Sequence, residues 1–389
     1  MKKYLLYLAL YIFVISCKEN KDRLASNQVS YNYELVDNGK FLSYALDDNT
    51  KYQFIALFPY TDNNGKEYLT FMNSIDEILF YDLKNGDFLF KIKTEKEGPD
   101  GIIGLSGYHV EDFGNIYLTS VMTQGIIKID TTGKIIQKIN YGTTKTGYEV
   151  APTFVSWSFF YTPPVFIDNK LYITQKPSPR SPVSKTPVSV VIDTLDNTFS
   201  ELPLFFPPII KDDGLFSYSS LLTENSRDFN GKEFVYSFYF DENIYVASID
   251  HTEIKKIQVK SKYINRLIIE KKPDDMIQTM KKNLEFPLYG NLIYDKYRNV
   301  YYRLAYPKVE LEPDLDYRSM ASQGRKKFSI IILDEKFNII GETLFPEYVY
   351  NPTVLFVHED GLYICNNHQM NPSFNEDILS FQCFELSKK

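Results

Sequence analysis

The chain has 389 residues, a net charge of −7 and an apolar share of 44%. That is length enough for a large core, and with no basic face it argues against nucleic acid as a partner. Tyr (31 residues) and Phe (29) are abundant while Trp occurs once, a composition that favours strands.

Lys2 and Lys3 precede an apolar stretch, Tyr4 to Ile15. It is shorter than the roughly twenty residues a membrane-spanning helix needs and suits the apolar core of a signal peptide. The stretch ends in Val14-Ile15-Ser16-Cys17, which resembles a bacterial lipobox: branched apolar residues, a small residue, then an obligatory Cys. The resemblance implies removal of residues 1–16 and a diacylglycerol thioether on Cys17. With a further acyl chain such as palmitate, each buried CH₂ adds about 0.8 kcal/mol of membrane affinity. A chance Cys at the end of a signal or anchor helix is the alternative. Residues 17–28 then form a tether. Its charged stretch, Lys18-Glu19-Asn20-Lys21-Asp22, looks like the export tag that Bacteroidota use to place lipoproteins on the outer surface. A plain solvated tether facing the periplasm is the other reading. The expected address is the outer membrane, exposed at the cell surface.

From residue 29 onward a pattern recurs: a turn with Asn, Gly or Asp, then a strand centred on Tyr. It reads NNGKEYLTFMN (63–73), DFGNIYLTSV (112–121), DNKLYITQ (168–175), NGKEFVYSFYF (230–240), DKYRNVYYRLAY (295–306) and EDGLYICNN (359–367). The first five are each followed by an alternating strand, a polar turn and another strand, as in EILFYDLKNGDFLFKIKT (77–94), GIIKIDTTGKIIQKINYG (125–142) and FSIIILDEKFNIIGETLF (328–345). The turns LKNGD, DTTGK and DEKFN carry the residues a tight hairpin needs. Six units of roughly 50–65 residues, each with four antiparallel strands, predict an all-β, six-bladed β-propeller spanning 29–389 as one domain. Seven blades are the alternative if two units between about 200 and 295 have merged; a β-sandwich fits the in-phase units less well. The sixth unit, ending in DILSFQCFELSKK (377–389), lacks an outer strand. An N-terminal strand, VSYNYELV (29–36) or FLSYALDD (41–48), is expected to supply it and close the last blade, because an unclosed ring leaves a raw sheet edge.

The lipobox, the six units and motifs such as EKEGPDGI (95–102) resemble the six-bladed TolB-like or NHL-like propellers of Bacteroidota lipoproteins. The resemblance covers nearly the whole mature chain. It implies architecture rather than chemistry, since fold does not fix function.

Propeller ligands usually meet the face built by loops between blades and by loops between the second and third strands. Several are long here, and long loops in compact domains tend to be functional or disordered. SWSFFYTPP (156–164) offers Trp157 and Tyr161 as stacking surfaces, although the same stretch also reads as a packed inner strand. QKPSPRSPVSKTP (175–187) is too Pro-rich for a central strand and presents Arg180 to an anion, or is only a stiff exposed loop. Residues 271–286, KKPDDMIQTMKKNLEF, read as a helix with Met276, Met280 and Leu284 on one stripe. In 301–327, strand alternation turns Arg303 to the face opposite Tyr302, and Arg318 lies in the loop. The run Glu310, Glu312, Asp314, Asp316 lacks the glycine-containing register of a calcium loop and reads as a solvated acidic segment. His368, in NNHQMN, joins Trp157, Tyr161, Arg180, Arg303 and Arg318 as candidate ligand-binding residues.

Acid–base chemistry needs positioned carboxylates or a His with a partner. His109 with Glu111 and Asp112, and His358 with Glu359, are such neighbours, but the P-loop, dinucleotide, GxSxG and HExxH fingerprints are absent from the sequence. Cys365 and Cys383 fall on neighbouring predicted strands without facing each other, so they read as buried free thiols. No metal and no cofactor is expected, and neither is a catalytic set. The expected function is a membrane-tethered, monomeric binding module for an envelope protein, an extracellular glycan or a peptide. The alternative is a glycan-active hydrolase or lyase with its site at the propeller mouth.

Overall fold

The computed structural model describes residues 28–51, 56–98, 101–120, 122, 125–150, 161–175, 177, 183–208 and 218–389. Cys17, the leader and most of the tether lie outside these residues, as do Trp157 and Arg180.

The chain begins with β1 (Val29–Ala45). Four separate four-stranded antiparallel sheets follow. The first holds β2 (Ala56–Thr61), β3 (Glu67–Met72), β4 (Glu77–Asp82) and β5 (Phe88–Lys93). The second holds β6 (Leu105–Asp112), β7 (Asn115–Ser120), β8 (Gly125–Ile129) and β9 (Ile135–Asn140). The third holds β10 (Val165–Ile167), β11 (Lys170–Thr174), β12 (Ser189–Asp193) and β13 (Thr198–Glu201). The fourth holds β14 (Asn225–Phe229), β15 (Glu233–Phe238), β16 (Asn243–Ser248) and β17 (Ile254–Gln258). Helix α1 (Met276–Glu285) then leads to β18 (Leu288–Asp295) and β19 (Val300–Tyr306), and α2 (Tyr317–Gln323) to β20 (Ser329–Leu333) and β21 (Ile339–Leu344). The chain ends in β22 (Asn351–His358), β23 (Gly361–Cys365) and β24 (Ile378–Lys388).

The six separate sheets expected from the repeats are not all distinct. The described strands form four separate sheets and one eight-stranded sheet, ordered β18-β19-β20-β21-β1-β24-β23-β22. The cause is β1, which pairs antiparallel to β24 along its length and runs parallel to β21 at Val29 and Tyr33. The two N-terminal strand candidates are one strand. A bulge between Asp37 and Phe41 separates its halves, with Gly39 at φ 78° and its N–H held 2.7 Å from Asp37 Oδ1. The seven-unit alternative finds no further sheet among the described residues.

The strand ends follow from the turn residues. In the β4–β5 turn Asp82 Oδ1 accepts the Lys84 and Asn85 N–H groups. In the β8–β9 turn Asp130 Oδ1 accepts that of Thr132, and in the β20–β21 turn Asp334 Oδ1 accepts those of Lys336 and Asn338. Such side chains pre-form the turn that a backbone alone would hold weakly.

Middle strands are buried on both faces because each sheet stacks on two others. Tyr68, Phe80 and Ile92 of the first sheet pack against Tyr108, Ile116 and Leu118 of the second. The second meets the third through Ile126, Ile139, Ile173 and Val190. Tyr172 of the third sheet and Val188, just before β12, meet Phe234 and Tyr236 of the fourth. The fourth packs on β18–β21 through Val235, Val246, Tyr301 and Ile331. Within the eight-stranded sheet, Tyr302, Leu304 and Ile332 meet Leu355, Ile364 and Phe384. Phe356, Tyr363 and Phe381 pack back on Leu69, Phe71 and Tyr81 of the first sheet. The stacking therefore returns to its start, and the fold is all-β and propeller-like.

The helix expected at 271–286 is present as α1. Asp275 caps it, accepting the Ile277 and Gln278 N–H groups. Leu284 is buried with Leu311, Tyr317 and Met320 of the β19–β20 segment, whereas Met276 is exposed. The two helices thus cover the loop end of one sheet.

Candidate functional site

The first strands of the sheets surround a common axis. A cavity of about 160 Å³ lies on it, lined by Leu57, Phe58 and Pro59 of β2, Ile293 and Tyr294 of β18, Leu355, Phe356 and Val357 of β22, and by Tyr161, Lys296 and Tyr297. Its described lining is mostly aromatic and aliphatic, with one cation, Lys296, and no carboxylate. The β18 and β22 residues come from the later halves of those strands and the β2 residues from its middle, and Lys296 and Tyr297 lie in the β18–β19 turn. The cavity therefore opens at the tight-turn end of the axis, opposite the long loops on which the sequence placed the mouth.

Tyr161 closes the inner end. Its N–H donates to Asn291 Oδ1 (3.0 Å), and its carbonyl accepts the Arg227 N–H (2.8 Å) and the Ser226 hydroxyl (2.9 Å). Its ring lies 6.1 Å from that of Phe58 across the axis. Residues from β14 and β18 hold this stretch inside the ring of sheets, so among the described candidates Tyr161 is the one that lines the cavity. Burial pushes its phenol well above the usual tyrosine range.

Asp228 lies beside this inner end. Its Oδ2 accepts the Tyr294 N–H at 2.7 Å and its Oδ1 the Phe229 N–H at 2.8 Å. Burial pushes its carboxyl up to about 7, against the pull of those two donors and of Arg227. Its charge, after burial, pushes the Tyr161 phenol up further.

The other candidates are elsewhere. Arg303 is fully buried in β19. Its guanidinium donates to Ser237 Oγ (2.9 Å) and to the carbonyls of Val259 (2.8 Å), Asp241 (2.6 Å) and Glu242 (3.1 Å), and it stacks 3.9 Å from the centre of the Tyr289 ring. It joins two sheets and has no free donor face for a ligand. Strand alternation rightly turned it away from Tyr302, but the other face is a second buried interface. Arg318 is exposed on α2, where its N–H meets Asp316 Oδ1. His368 is fully buried; its Nδ1 accepts the Met370 N–H (3.1 Å), and burial pushes it down to about 4. It is a neutral packing residue against the Tyr348 ring, 5.4 Å away.

The paired groups proposed for acid–base work are also dispersed. His109 Nε2 lies 3.5 Å from Glu111. His358 pairs with Glu67 (3.2 Å) and Asp360 (3.6 Å) rather than with Glu359. In the acidic run, Asp316 caps α2 and Glu312 pairs with Lys326 at 2.7 Å, so each has a structural role. Among the described residues no group of three or more His, Cys, Asp or Glu is arranged to hold a metal ion. Cys365 and Cys383 are free and buried, and they pair in register with Phe381 and Tyr363 rather than with each other.

Sequence reasoning missed Phe58, Tyr294, Tyr297 and Phe356. Phe58, Tyr294 and Phe356 sit in strands among similar apolar residues and Tyr297 in a turn, and only the ring arrangement brings the four to the axis.

A propeller-like ring of antiparallel sheets with a small aromatic cavity on its axis is the class that this fold and site define. Within it, the chain belongs to the DUF4221 family, a domain of unknown function whose description matches residues 32–344. It is similar to a crystal structure of a DUF4221 family member from Bacteroides vulgatus. The two share 29% identity and a TM-score of 0.80, over 92% of this chain and all of the other. A more distant likeness is to BamB from Moraxella catarrhalis, with 9% identity, a TM-score of 0.39, and 94% and 95% of the two chains covered. No curated protein matches the chain.

Proposed function

We propose that the protein is a lipid-anchored, surface-exposed outer-membrane binding module that uses its axial cavity to hold a ring-sized group of an extracellular glycan or peptide. We read its fold as a TolB-like or NHL-like propeller of six blades, with β18–β21 as the fifth and β22–β24 plus β1 as the sixth. Two contacts support that reading. A Cβ on Gly86, in the β4–β5 turn, would lie 2.1 Å from Ser43 O of β1, just as one on Gly133, in the β8–β9 turn, would lie 2.2 Å from Lys93 O of β5. The outer strand β1 thus meets the next blade as β5 does.

The observation that carries the binding reading is the lining: Phe58, Tyr161, Tyr294, Tyr297 and Phe356 beside a single lysine. Aromatic faces suit sugar rings and apolar side chains, because they offer wide contact area with a polar tip. A glycoside hydrolase needs two carboxyl groups about 5–10 Å apart across the substrate, and the described lining supplies none. The test is binding of the chain to arrays of polysaccharides, glycopeptides and peptides, with Tyr297→Ala and Phe58→Ala run alongside. A hit weakened at least tenfold by both variants supports the axial cavity. A hit that neither variant changes moves the site elsewhere, and turnover of a bound glycan would replace the binding reading with the hydrolase one.

A further inference from the structure

We infer that the axial cavity opens toward the membrane that carries the anchor, and that it takes the sugar headgroup of a glycolipid in that membrane. This rests on the lipid anchor and the ring-binding cavity proposed above.

The direction follows from connectivity. In an antiparallel sheet the β18–β19 and β20–β21 turns leave at one end, and the β19–β20 segment at the other. The chain enters the fold at the first end. Gln28 donates its N–H to Asn338 Oδ1 at 3.0 Å, and its carbonyl accepts the Ile339 N–H at 3.0 Å, so β1 starts against the β20–β21 turn. Lys296 and Tyr297, at the cavity rim, belong to the β18–β19 turn at that same end. Fully extended, the segment from Cys17 to Gln28 spans at most about 40 Å. Helices α1 and α2 lie at the opposite end, over the loop end of β18–β21. An anchor on Cys17 therefore pulls the turn end, and the cavity mouth with it, toward the bilayer.

Size and charge narrow the occupant. Ligand pockets commonly enclose about 300–1,000 Å³, so a cavity of about 160 Å³ admits one ring and its substituents. The Lys296 ammonium lies 5.1 Å from the centre of the Tyr297 ring at the mouth and pairs with no carboxylate among the described residues, whereas Glu67, Glu359 and Asp295, whose charges reach Tyr297, are paired with Lys84, His358 and Arg298. An acidic sugar satisfies both the rings and the lysine. Glucuronosyl diacylglycerol is the probe that matches.

Two measurements test this. The lipidated chain, carrying a fluorophore on Leu195→Cys (in the β12–β13 turn) or Met276→Cys (on α1), is reconstituted in phosphatidylcholine vesicles with nitroxide headgroups. Both positions are exposed and lie outside the cavity. Quenching several-fold stronger at position 195 is expected; equal or stronger quenching at 276 overturns the orientation. In the second, the unlipidated Cys17→Ser chain is sedimented with phosphatidylcholine vesicles with and without glucuronosyl diacylglycerol. Retention that needs the glycolipid and is lost with Tyr297→Ala supports the inference. No retention, while soluble glucuronate oligosaccharides still bind, overturns the membrane source and leaves the cavity reading standing. Loss of both overturns both.

Discussion

Replacing Arg303 should uncouple two neighbouring sheets. Its guanidinium makes four short hydrogen bonds, to Ser237 Oγ and to the carbonyls of Val259, Asp241 and Glu242, and two longer ones to Phe238 and Asn243. Bonds to a charged group contribute about 1.5–3 kcal/mol each, so the four short ones give roughly 6–12 kcal/mol in gross terms. Against this stands the desolvation of a fully buried cation, several kcal/mol after relaxation. That same burial pushes Arg303 down to about 10. The net loss for Arg303→Met is therefore expected at about 3–5 kcal/mol, since the carbonyls of Asp241, Glu242 and Val259 are left facing a methyl group. Arg303→Lys keeps the charge but has three donors on one nitrogen, so it should recover less than half of the loss. Urea unfolding read by far-UV circular dichroism, extrapolated to water, measures both. A Met variant within about 1 kcal/mol of the parent would refute the reasoning, because it would mean that water serves those carbonyls without help from the guanidinium.

Asp228 gives the chain a pH dependence. An unfolded carboxyl titrates near 3.8 and the folded one near 7, so between these values the folded state holds more protons than the unfolded state. Stability must then fall as pH rises from about 4 to about 7, at about 1.4 kcal/mol per unit for full effect. The Asp228→Asn variant should flatten that slope in melts at pH 5 and pH 8; an unchanged slope would place the titration elsewhere. Gly86→Ala introduces a Cβ at φ 75° and 2.1 Å from Ser43 O, and should lower stability by about 2–4 kcal/mol in the same urea assay. A loss below about 1 kcal/mol would show that β1 does not press on that turn. Burial pushes the Cys365 thiol up to about 12 and raises that of Cys383. Neither should react with a disulfide reagent at pH 8 until denaturant is added, and rapid labelling of the folded chain would contradict their burial.

The repeat was legible because hairpin turns need particular residues. Asp82, Asp130 and Asp334 occur where a side-chain oxygen closes a turn, and they marked the strand ends that the structure shows. The merging of eight strands into one sheet was hidden, because nothing local to Val29 or Tyr33 signals a partner more than three hundred residues away in β21. Candidate site residues divided by the same logic. Loop length and polar chemistry drew attention to Arg303, Arg318 and His368. Yet a buried Arg and a buried His are what a ring of stacked sheets uses to satisfy carbonyls and fill gaps between strands. The axis is lined instead by ordinary strand aromatics. Tyr294, which borders the cavity, and Tyr301, buried against Phe337, are directly paired on adjacent strands with rings only 4.9 Å apart. Period-two alternation assigns a side chain to a face, but both faces of these strands are covered by neighbouring sheets, so alternation does not say which strand borders the space the ring encloses. Which strands border a site is thus a property of closure, set by β1 and its two partners rather than by any residue in the site itself.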